Sequence, residues 1–219
     1  MDPSSFEDRS VGWRIVMVGT GGQGVLTAAR LLCDGLVRHG HDVVSGRLHG
    51  MAQRGGSVQS CVLIDCGISP VVARGGADFV LGFELVETVR ALPFMSKRTV
   101  VYMNSDPVIP YVLAQRSISQ HSNGKYPKIA ELINAVQDVT TYLSSFDATR
   151  RAVEAGSAKA LNMVMLGCLI GSSSLPCTVD EFWRVVADRM PQGLTDANSR
   201  AFFSGAALAK EFGVSEAKP

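Results

Sequence analysis

The chain has 219 residues, of which 46% are hydrophobic and 19% are charged, and its formal net charge at pH 7 is +1. These values describe an ordinary globular chain that is long enough to bury a sizeable core. Because the charges are nearly balanced, there is no strong basic field to attract nucleic acid or an anionic lipid surface. We therefore expect neither as a partner.

The sequence carries no sign of a targeting or membrane segment. Residues 1–10 are polar and partly acidic, without the basic start and apolar stretch of a secretory signal. The longest apolar-leaning run, 161–170, is about half of a membrane span. We expect a cytoplasmic protein with a flexible segment over 1–13, a single domain over 14–212 and a flexible tail over 213–219.

Five cysteines form an odd set without a Cys-x-x-Cys pair: Cys33, Cys61, Cys66, Cys168 and Cys177. In an intracellular chain such thiols stay reduced. Their spacing is typical of small buried apolar residues, because no second close pair completes four metal ligands. We predict no metal site in this chain.

The hydrophobic periodicity alternates between short apolar runs and longer helical segments, which indicates a layered α/β fold. The apolar runs predict strands over 14–18, 42–45, 57–64, 79–82, 99–103 and 140–143. Helical spacing predicts helices over 25–39, 84–92, 128–137, 147–155, 158–170, 179–190 and 197–212. We expect a three-layer α/β/α domain with a mostly parallel, mixed central sheet and a helical C-terminal third. The strand over 57–64 closely follows its predecessor and is the candidate for an antiparallel strand.

A glycine-rich turn follows the first predicted strand, and its candidate site residues are Gly19, Gly21, Gly22, Gln23 and Gly24. Glycine allows close approach of the backbone, and the first N–H groups of the following helix favour phosphate or carboxylate. The spacing fits the dinucleotide fingerprint GxGxxG. No Asp or Glu follows the next predicted strand, however, to hold the ribose hydroxyls of a nicotinamide cofactor.

A second unusual segment, His-Gly-Met-Ala-Gln-Arg-Gly-Gly-Ser, covers residues 49–57. Arg54 lies between Gln53 and the paired glycines Gly55 and Gly56. A guanidinium on such a backbone fits a carboxylate, a phosphate or a loop of a partner. The alternative interpretation is a glycine-rich turn with a solvated arginine.

Glu84 begins a predicted helix at the carboxyl edge of the sheet, where the ligands of α/β proteins bind. It is therefore a candidate functional group. The alternative is structural, because a first-turn carboxylate complements the helix dipole and Glu87 can pair with Arg90 at i,i+3.

Known catalytic arrangements are missing from the sequence. There is no Gly-x-Ser-x-Gly elbow, no phosphate loop ending in Gly-Lys-Ser/Thr and no His-Glu-x-x-His helix. We predict no catalytic residue in this chain. A sheet edge suited to a cofactor, in a chain without catalytic residues, suggests a subunit of a larger assembly.

The two glycine-rich segments, 19–27 and 49–58, together resemble the gamma subunit of 2-oxoacid:ferredoxin oxidoreductases. Asn104 and the run 162–167 follow in the order and approximate spacing of that family. The closing residues, which include Asn198 and Gly205, resemble the indolepyruvate branch, in which this polypeptide is the beta subunit. The likeness covers about 14–212.

The resemblance implies an enzyme that decarboxylates a 2-oxo acid on thiamine diphosphate with Mg²⁺ and passes two electrons singly through a 4Fe–4S cluster to ferredoxin, forming an acyl-coenzyme A. In the indolepyruvate branch the acid is an aryl 2-oxo acid. A large alpha subunit is implied to bind the thiamine diphosphate and the cluster, because this chain lacks a Gly-Asp-Gly element and cluster-binding cysteine spacings. By itself this chain is expected to bind no cofactor, and in isolation it can form a homodimer.

In such a complex we expect the chain to shape the active-site or coenzyme A cleft and the subunit interface, with the first glycine-rich turn, Gln53 and Arg54 on the shared surface. Two alternatives stay open. One is a free-standing Rossmann-like oxidoreductase in which Ser45 and Arg47 accommodate the 2′-phosphate of NADP. The other is a non-catalytic assembly module whose glycine-rich turns serve only packing.

Overall fold

The computed structural model describes residues 12–49, 56–107, 127–172, 174–190 and 193–212. Within these ranges the strands are β1 (Trp13–Thr20), β2 (Val43–His49), β3 (Ser57–Ile64), β4 (Phe79–Gly82), β5 (Val100–Asn104) and β6 (Tyr142–Phe146). The α helices there are α1 (Val25–Arg38), α2 (Leu85–Arg90), α3 (Ile129–Gln137), α4 (Ala148–Glu154), α5 (Leu161–Gly171), α6 (Val179–Ala187) and α7 (Thr195–Glu211). Short 3-10 helices cover Leu92–Phe94 and Ala158–Ala160.

The six strands form one sheet in the order β2-β3-β1-β4-β5-β6. Strands β1, β4, β5 and β6 run parallel, whereas β3 is antiparallel to both of its neighbours. The prediction of a mixed sheet with a reversed strand over 57–64 is confirmed. The sixth strand begins about two residues later than predicted, because Thr140 bonds through its hydroxyl to the Thr99 carbonyl before the strand starts.

Helices cover both faces of the sheet, and the alternation of side chains along β1 separates the two cores. Ile15 and Met17 point to the face that is covered by α1 and α4 to α7. Val16 and Val18 point to the opposite face, where α2 and α3 pack. All four side chains are buried. The predicted three-layer α/β/α fold with a helical C-terminal third is confirmed.

Helix α5 is buried on all sides, which explains why its sequence lacks an amphipathic pattern. It lies between the sheet and α7, and the two helices approach closely through glycines. A Cβ on Gly167 would lie 2.0 Å from the carbonyl oxygen of Phe202, and one on Gly205 would lie 2.0 Å from that of Val164. The sheet is therefore backed by two helix layers here. None of the described helices is long and apolar enough to cross a membrane.

Replacing Gly167 by alanine tests this contact. Alanine favours a helix by about 1 kcal/mol over glycine, but the new methyl group meets backbone that cannot move aside without separating the helices. We expect a net loss of about 2 kcal/mol in the free energy of unfolding, measured by chemical denaturation. The control is Gly67→Ala, whose Cβ has its nearest neighbour at 3.4 Å. Equal stability of the two variants would contradict the proposed packing.

Candidate functional site

The direction of β3 brings the two glycine-rich segments to the same edge of the sheet. Parallel strands β1 and β4 end there, and the reversed strand β3 begins there. The backbone N–H of Gly21 donates to the carbonyl of Gly56 at 2.9 Å, so the two segments touch. From this edge α1 continues on one face of the sheet and α2 on the other. The edge between β1 and β4 is therefore a topological switch point, the place where α/β proteins bind ligands.

Two glycines of the first turn adopt backbone conformations that other residues rarely reach. Gly22 has φ of +107° and Gly24, the N-cap of α1, has φ of +82°. Gly19 is required for a different reason, since a Cβ there would lie 2.8 Å from the Cβ of Phe83. The sequence therefore uses glycine to turn the chain sharply from β1 into α1.

The side chain of Gln23 holds this turn in place. Its Oε1 accepts from the Thr20 N–H at 2.7 Å, and its Nε2 donates to the Phe83 carbonyl at 2.9 Å. The same carbonyl accepts from Nδ2 of Asn104 at 3.2 Å. We call these three residues, Gln23, Phe83 and Asn104, the edge clasp. Both functional groups of the Gln23 amide are thus engaged within the chain rather than presented to a ligand.

Asn104 extends the clasp to the next helix. It is fully buried, its Oδ1 accepts from the Ala148 N–H at 3.0 Å, and its Nδ2 also contacts the Thr149 hydroxyl at 3.1 Å. One asparagine therefore joins the ends of β4 and β5 to the start of α4. These bonds pair both polar groups of the amide, which would be unfavourable if it were buried without partners.

The second segment is anchored where it enters β3. Gly56 accepts the hydrogen bond from Gly21, and the Ser57 hydroxyl donates to Oε2 of Glu87 at 2.5 Å. The other oxygen of Glu87 accepts from Arg90 at 2.9 Å, as the i,i+3 spacing predicts. The remaining predicted site residues of this segment lie outside the described residues: Gln53, Arg54 and Gly55.

Glu84 lies at the same edge and is 2% exposed. Its Oε2 accepts from the Glu87 N–H at 2.9 Å, which makes it the N-cap of α2. The contact agrees with the structural interpretation of Glu84, in which its carboxylate stabilises the start of the helix. The carboxylate faces its own helix in that bond.

The start of α1 offers hydrogen-bond donors. Gly24 caps the helix without a side-chain bond, and the backbone N–H groups of Val25, Leu26 and Thr27 have no acceptor among the described residues. A cavity of about 520 Å³ opens beside this turn, lined also by Arg30. In the first segment these backbone donors, and not the Gln23 side chain, are the groups left without a partner among the described residues. Anion binding at this turn stays a prediction.

The sheet order argues against the nicotinamide alternative. In the usual dinucleotide fold the second strand lies directly beside the first, so its end reaches the ribose. Here β3 separates β2 from β1, which moves the end of β2 about 10 Å from the first strand. Ser45 and Arg47 are exposed on this outer strand.

The cysteines do not come together. All five are free thiols; Cys61 and Cys168 are buried, and the other three are half-buried. Among the described residues there is no group of three or more His, Cys, Asp or Glu side chains that could hold a metal ion.

The sequence matches the family described as pyruvate ferredoxin/flavodoxin oxidoreductase over residues 14–208. The chain belongs to this family. It is also 35% identical to the indolepyruvate oxidoreductase subunit IorB of Archaeoglobus fulgidus, over 87% of this chain and 92% of the relative. The resemblance inferred from the two glycine-rich segments is confirmed.

Two solved structures share the fold. The gamma subunit of a keto/oxoacid ferredoxin oxidoreductase from Geobacter sulfurreducens has a TM-score of 0.65 and 20% identity, with 91% of this chain and 99% of that chain covered. The 2-oxoglutarate:ferredoxin oxidoreductase from Magnetococcus marinus has a TM-score of 0.66 and 18% identity over 91% of this chain. This chain corresponds to 31% of that longer chain. A small oxidoreductase subunit in one organism thus has the fold of one part of a larger chain in another.

Two features of this edge were not predicted from the sequence. They are the role of Asn104 in the edge clasp and the cationic lining of the cavity. Asn104 was visible as a polar residue at the end of an apolar strand. Asn162, which lines the cavity from α5, was visible as an amide in an otherwise apolar helix. The cations that line the cavity come from distant segments, so no local pattern joins them: Arg30, Arg47, Lys159 and Arg189.

Removing the Gln23 amide should weaken the edge clasp. Gln23→Ala leaves the Thr20 N–H without its acceptor, and we expect the free energy of unfolding to fall by about 1–3 kcal/mol. Gln137→Ala is the control, since that side chain is exposed at the end of α3. Chemical denaturation measures both, and a Gln23 variant as stable as the control would show that the clasp does not stabilise the fold.

Burial should also make the thiols unreactive. Desolvation, with the nearby Glu181 carboxylate, raises the pKa of Cys177 to about 11, and desolvation raises the pKa of the other four thiols as well. At pH 8 the thiolate fraction of Cys177 is then on the order of 10⁻³, against about a quarter for a free cysteine. We expect alkylation by iodoacetamide at pH 8, followed by mass spectrometry, to be at least tenfold slower in the native chain than in the denatured chain. Fast labelling of any native thiol would contradict this.

Proposed function

We propose that this chain is the small subunit of an indolepyruvate:ferredoxin oxidoreductase. In the overall reaction an aryl 2-oxo acid and coenzyme A yield an acyl-coenzyme A, carbon dioxide and a proton, while two ferredoxins each accept one electron. In this proposal the large subunit would hold the thiamine diphosphate, which supplies the chemistry for carbon–carbon bond cleavage, and a 4Fe–4S cluster for electron transfer. This chain forms one wall of the cleft and does not turn over substrate alone.

The hydrogen bond between Gly21 and Gly56 supports the proposal most directly. It joins the two segments that carry the family resemblance at one edge of the sheet. That edge also holds the unpaired N–H groups of α1 and a cationic cavity. A surface of this composition suits the phosphates of coenzyme A better than an uncharged substrate.

The choice of substrate branch rests on the relatives. The chain is 35% identical, over nearly its full length, to a protein whose name specifies indolepyruvate. The Magnetococcus enzyme of the same fold holds 2-oxoglutarate, coenzyme A and succinyl-coenzyme A. We assign an aryl 2-oxo acid to this chain because the sequence relatives are closer than the structural ones.

The partner in this proposal is a large subunit that binds thiamine diphosphate, Mg²⁺ and the cluster, with ferredoxin as the acceptor. The cysteines of this chain provide no cluster ligands among the described residues. The contributions proposed for this chain are hydrogen-bond donors and positive charge. The residues proposed to provide them are the first turn of α1 together with Gln53 and Arg54.

A second candidate function is that of an assembly module without any ligand contact. One observation favours it: the Gln23 amide makes both of its hydrogen bonds within the chain. The first glycine-rich turn then serves only to position α1. The two functions differ in whether changes at the edge alter the dependence of turnover on coenzyme A.

The test is to purify the tagged chain anaerobically from its own cells and to assay the complex. We expect a thiamine- and cluster-binding subunit to co-purify and to reduce ferredoxin only when indolepyruvate and coenzyme A are both present. In Arg54→Ala the loss of a charge-assisted hydrogen bond, about 1.5–3 kcal/mol, should raise the KM for coenzyme A about tenfold or more. The control Arg150→Gln alters an exposed arginine on α4.

Three outcomes decide between the alternatives. An unchanged KM in Arg54→Ala with the complex intact favours the assembly module. Oxidation of indolepyruvate by the isolated chain contradicts the subunit proposal. Micromolar binding of NADPH by the isolated chain, measured by fluorescence titration, favours the nicotinamide alternative.

A further inference from the structure

A second cavity lies at the other end of the sheet, where the parallel strands begin. We infer that it binds a small inorganic oxyanion with two negative charges, the class to which hydrogen phosphate and sulfate belong. Its volume is about 290 Å³, and it is bordered by the start of β1 and by the segments before β4 and β5. The glycine-rich edge lies at the opposite ends of these strands. The inference therefore goes beyond the proposed function, which concerns that edge.

Three arginines from three segments of the chain line this cavity: Arg14, Arg74 and Arg98. Arg14 has Asp78 as its counter-ion, with 3.8 Å between Nη1 of the arginine and Oδ2 of the aspartate. Asp78 is the one carboxylate in the described lining. The lining thus carries three positive charges and one negative charge, which leaves two positive charges uncompensated. An anion with two negative charges would neutralise them.

Two of these arginines have no partner within the described part of the chain. Arg74 and Arg98 make no ion pair and no side-chain hydrogen bond with any described residue, and both are exposed. Like charges that share a concave surface repel each other and raise the local concentration of counter-ions. An oxyanion between the two guanidinium groups would relieve this repulsion and accept charge-assisted hydrogen bonds from both.

Backbone hydrogen bonds hold the segments of the cavity together. The Gly75 N–H donates to the Pro93 carbonyl at 3.0 Å, and the Ala77 N–H donates to the Phe94 carbonyl at 2.9 Å. The first of these two segments carries Arg74, and the second leads into β5. Gly75 has φ of +65°, a conformation that glycine adopts easily and that turns the chain beside this arginine.

Polar side chains fix the same segments from below. The Thr99 hydroxyl is fully buried, donates to the Ala77 carbonyl at 2.7 Å and accepts from the Ser96 N–H at 2.8 Å. Oδ2 of Asp78 accepts from the backbone N–H of Arg14 at 2.7 Å, which joins β1 to the segment before β4. Only the arginine side chains then have to be ordered when an anion binds, and this lowers the entropic cost of binding.

The remaining lining limits what the anion can carry. It consists of Ser96 and of the alanines and glycines that surround Arg74 in the segment 73–77. The described lining has no large apolar or aromatic side chain that would contact an organic body. Its volume is also just below the usual range of small-molecule sites, about 300–1000 Å³. These features favour a free inorganic oxyanion over an organic phosphate.

The test uses the purified full chain in a buffer that contains neither phosphate nor sulfate. Sodium phosphate and sodium sulfate are titrated separately by isothermal titration calorimetry, with sodium chloride at equal ionic strength as the reference. We expect at least one of the two dianions to bind with a Kd of about 1 mM or lower, and chloride not to bind. At ten times that Kd, the dianion should raise the thermal unfolding temperature by about 3 °C relative to chloride.

A pair of double variants shows whether the binding is local. Arg74→Gln/Arg98→Gln removes two of the three cations, so its affinity for the dianion should fall about tenfold or more. The matched control is Arg38→Gln/Arg184→Gln, which removes two exposed arginines that do not line the cavity. Both variants lower the net charge by the same amount. We expect the control to bind the dianion like the unaltered chain.

No binding of either dianion at tens of millimolar would overturn the inference, as would an unchanged affinity in the folded Arg74→Gln/Arg98→Gln variant. An equal loss of affinity in both double variants would overturn it too, because the attraction would then belong to the whole surface. Thermal unfolding without added anion shows whether each variant is folded. None of these results bears on the proposed function, which is tested by co-purification and by ferredoxin reduction.

Discussion

The edge clasp is the interaction on which the functional edge depends. The carbonyl of Phe83 receives hydrogen bonds from Gln23 and Asn104, so the end of β4 is tied at once to the glycine-rich turn after β1 and to the end of β5. The clasp fixes where α1 begins, and the first turn of α1 forms part of the cavity. Three residues from three separate segments thus determine where the donors of this surface lie.

Glycines and side-chain amides make different contributions to this edge. Glycine provides the backbone conformation at Gly22 and Gly24, and the amides of Gln23 and Asn104 stop that conformation from relaxing. Charged groups at the same edge are also paired within the chain, as in the contact of Ser57 with Glu87. What faces outward is mainly helix N–H groups and arginine or lysine side chains, a composition that favours an anionic partner.

Much of the fold could be predicted from the sequence because its signals are local. Strands 57–64 and 79–82 were placed with their bounds, since each is an apolar run bordered by turn residues. The contact of Gly167 with the backbone of Phe202 could not be predicted, because nothing near either residue shows that two helices meet there. The start of β6 was misplaced because side-chain bonds of Thr140, not hydrophobicity, define it.

The site was predictable to a smaller extent. Glycine spacing identified the turn and the edge, yet the roles expected for Gln23 and Glu84 depend on which atoms their polar groups reach. That is a property of tertiary structure: Gln23 reaches the Phe83 carbonyl, 60 positions along the chain. The cavity cations lie farther apart still, since Arg30 and Arg189 come together only when α1 packs near the segment after α6. Local patterns indicate which segments matter, whereas long-range packing decides what each side chain does.

The pairing of β2 with β3 has a consequence for where the chain tolerates an insertion. His49 lies opposite Val58, and the ladder continues without interruption to Val43 and Ile64. A residue inserted within either strand would turn every later side chain to the other face of the sheet, whereas one inserted between 49 and 57 would leave the register intact. The sheet register therefore constrains the two strands and not the length of the connection between them.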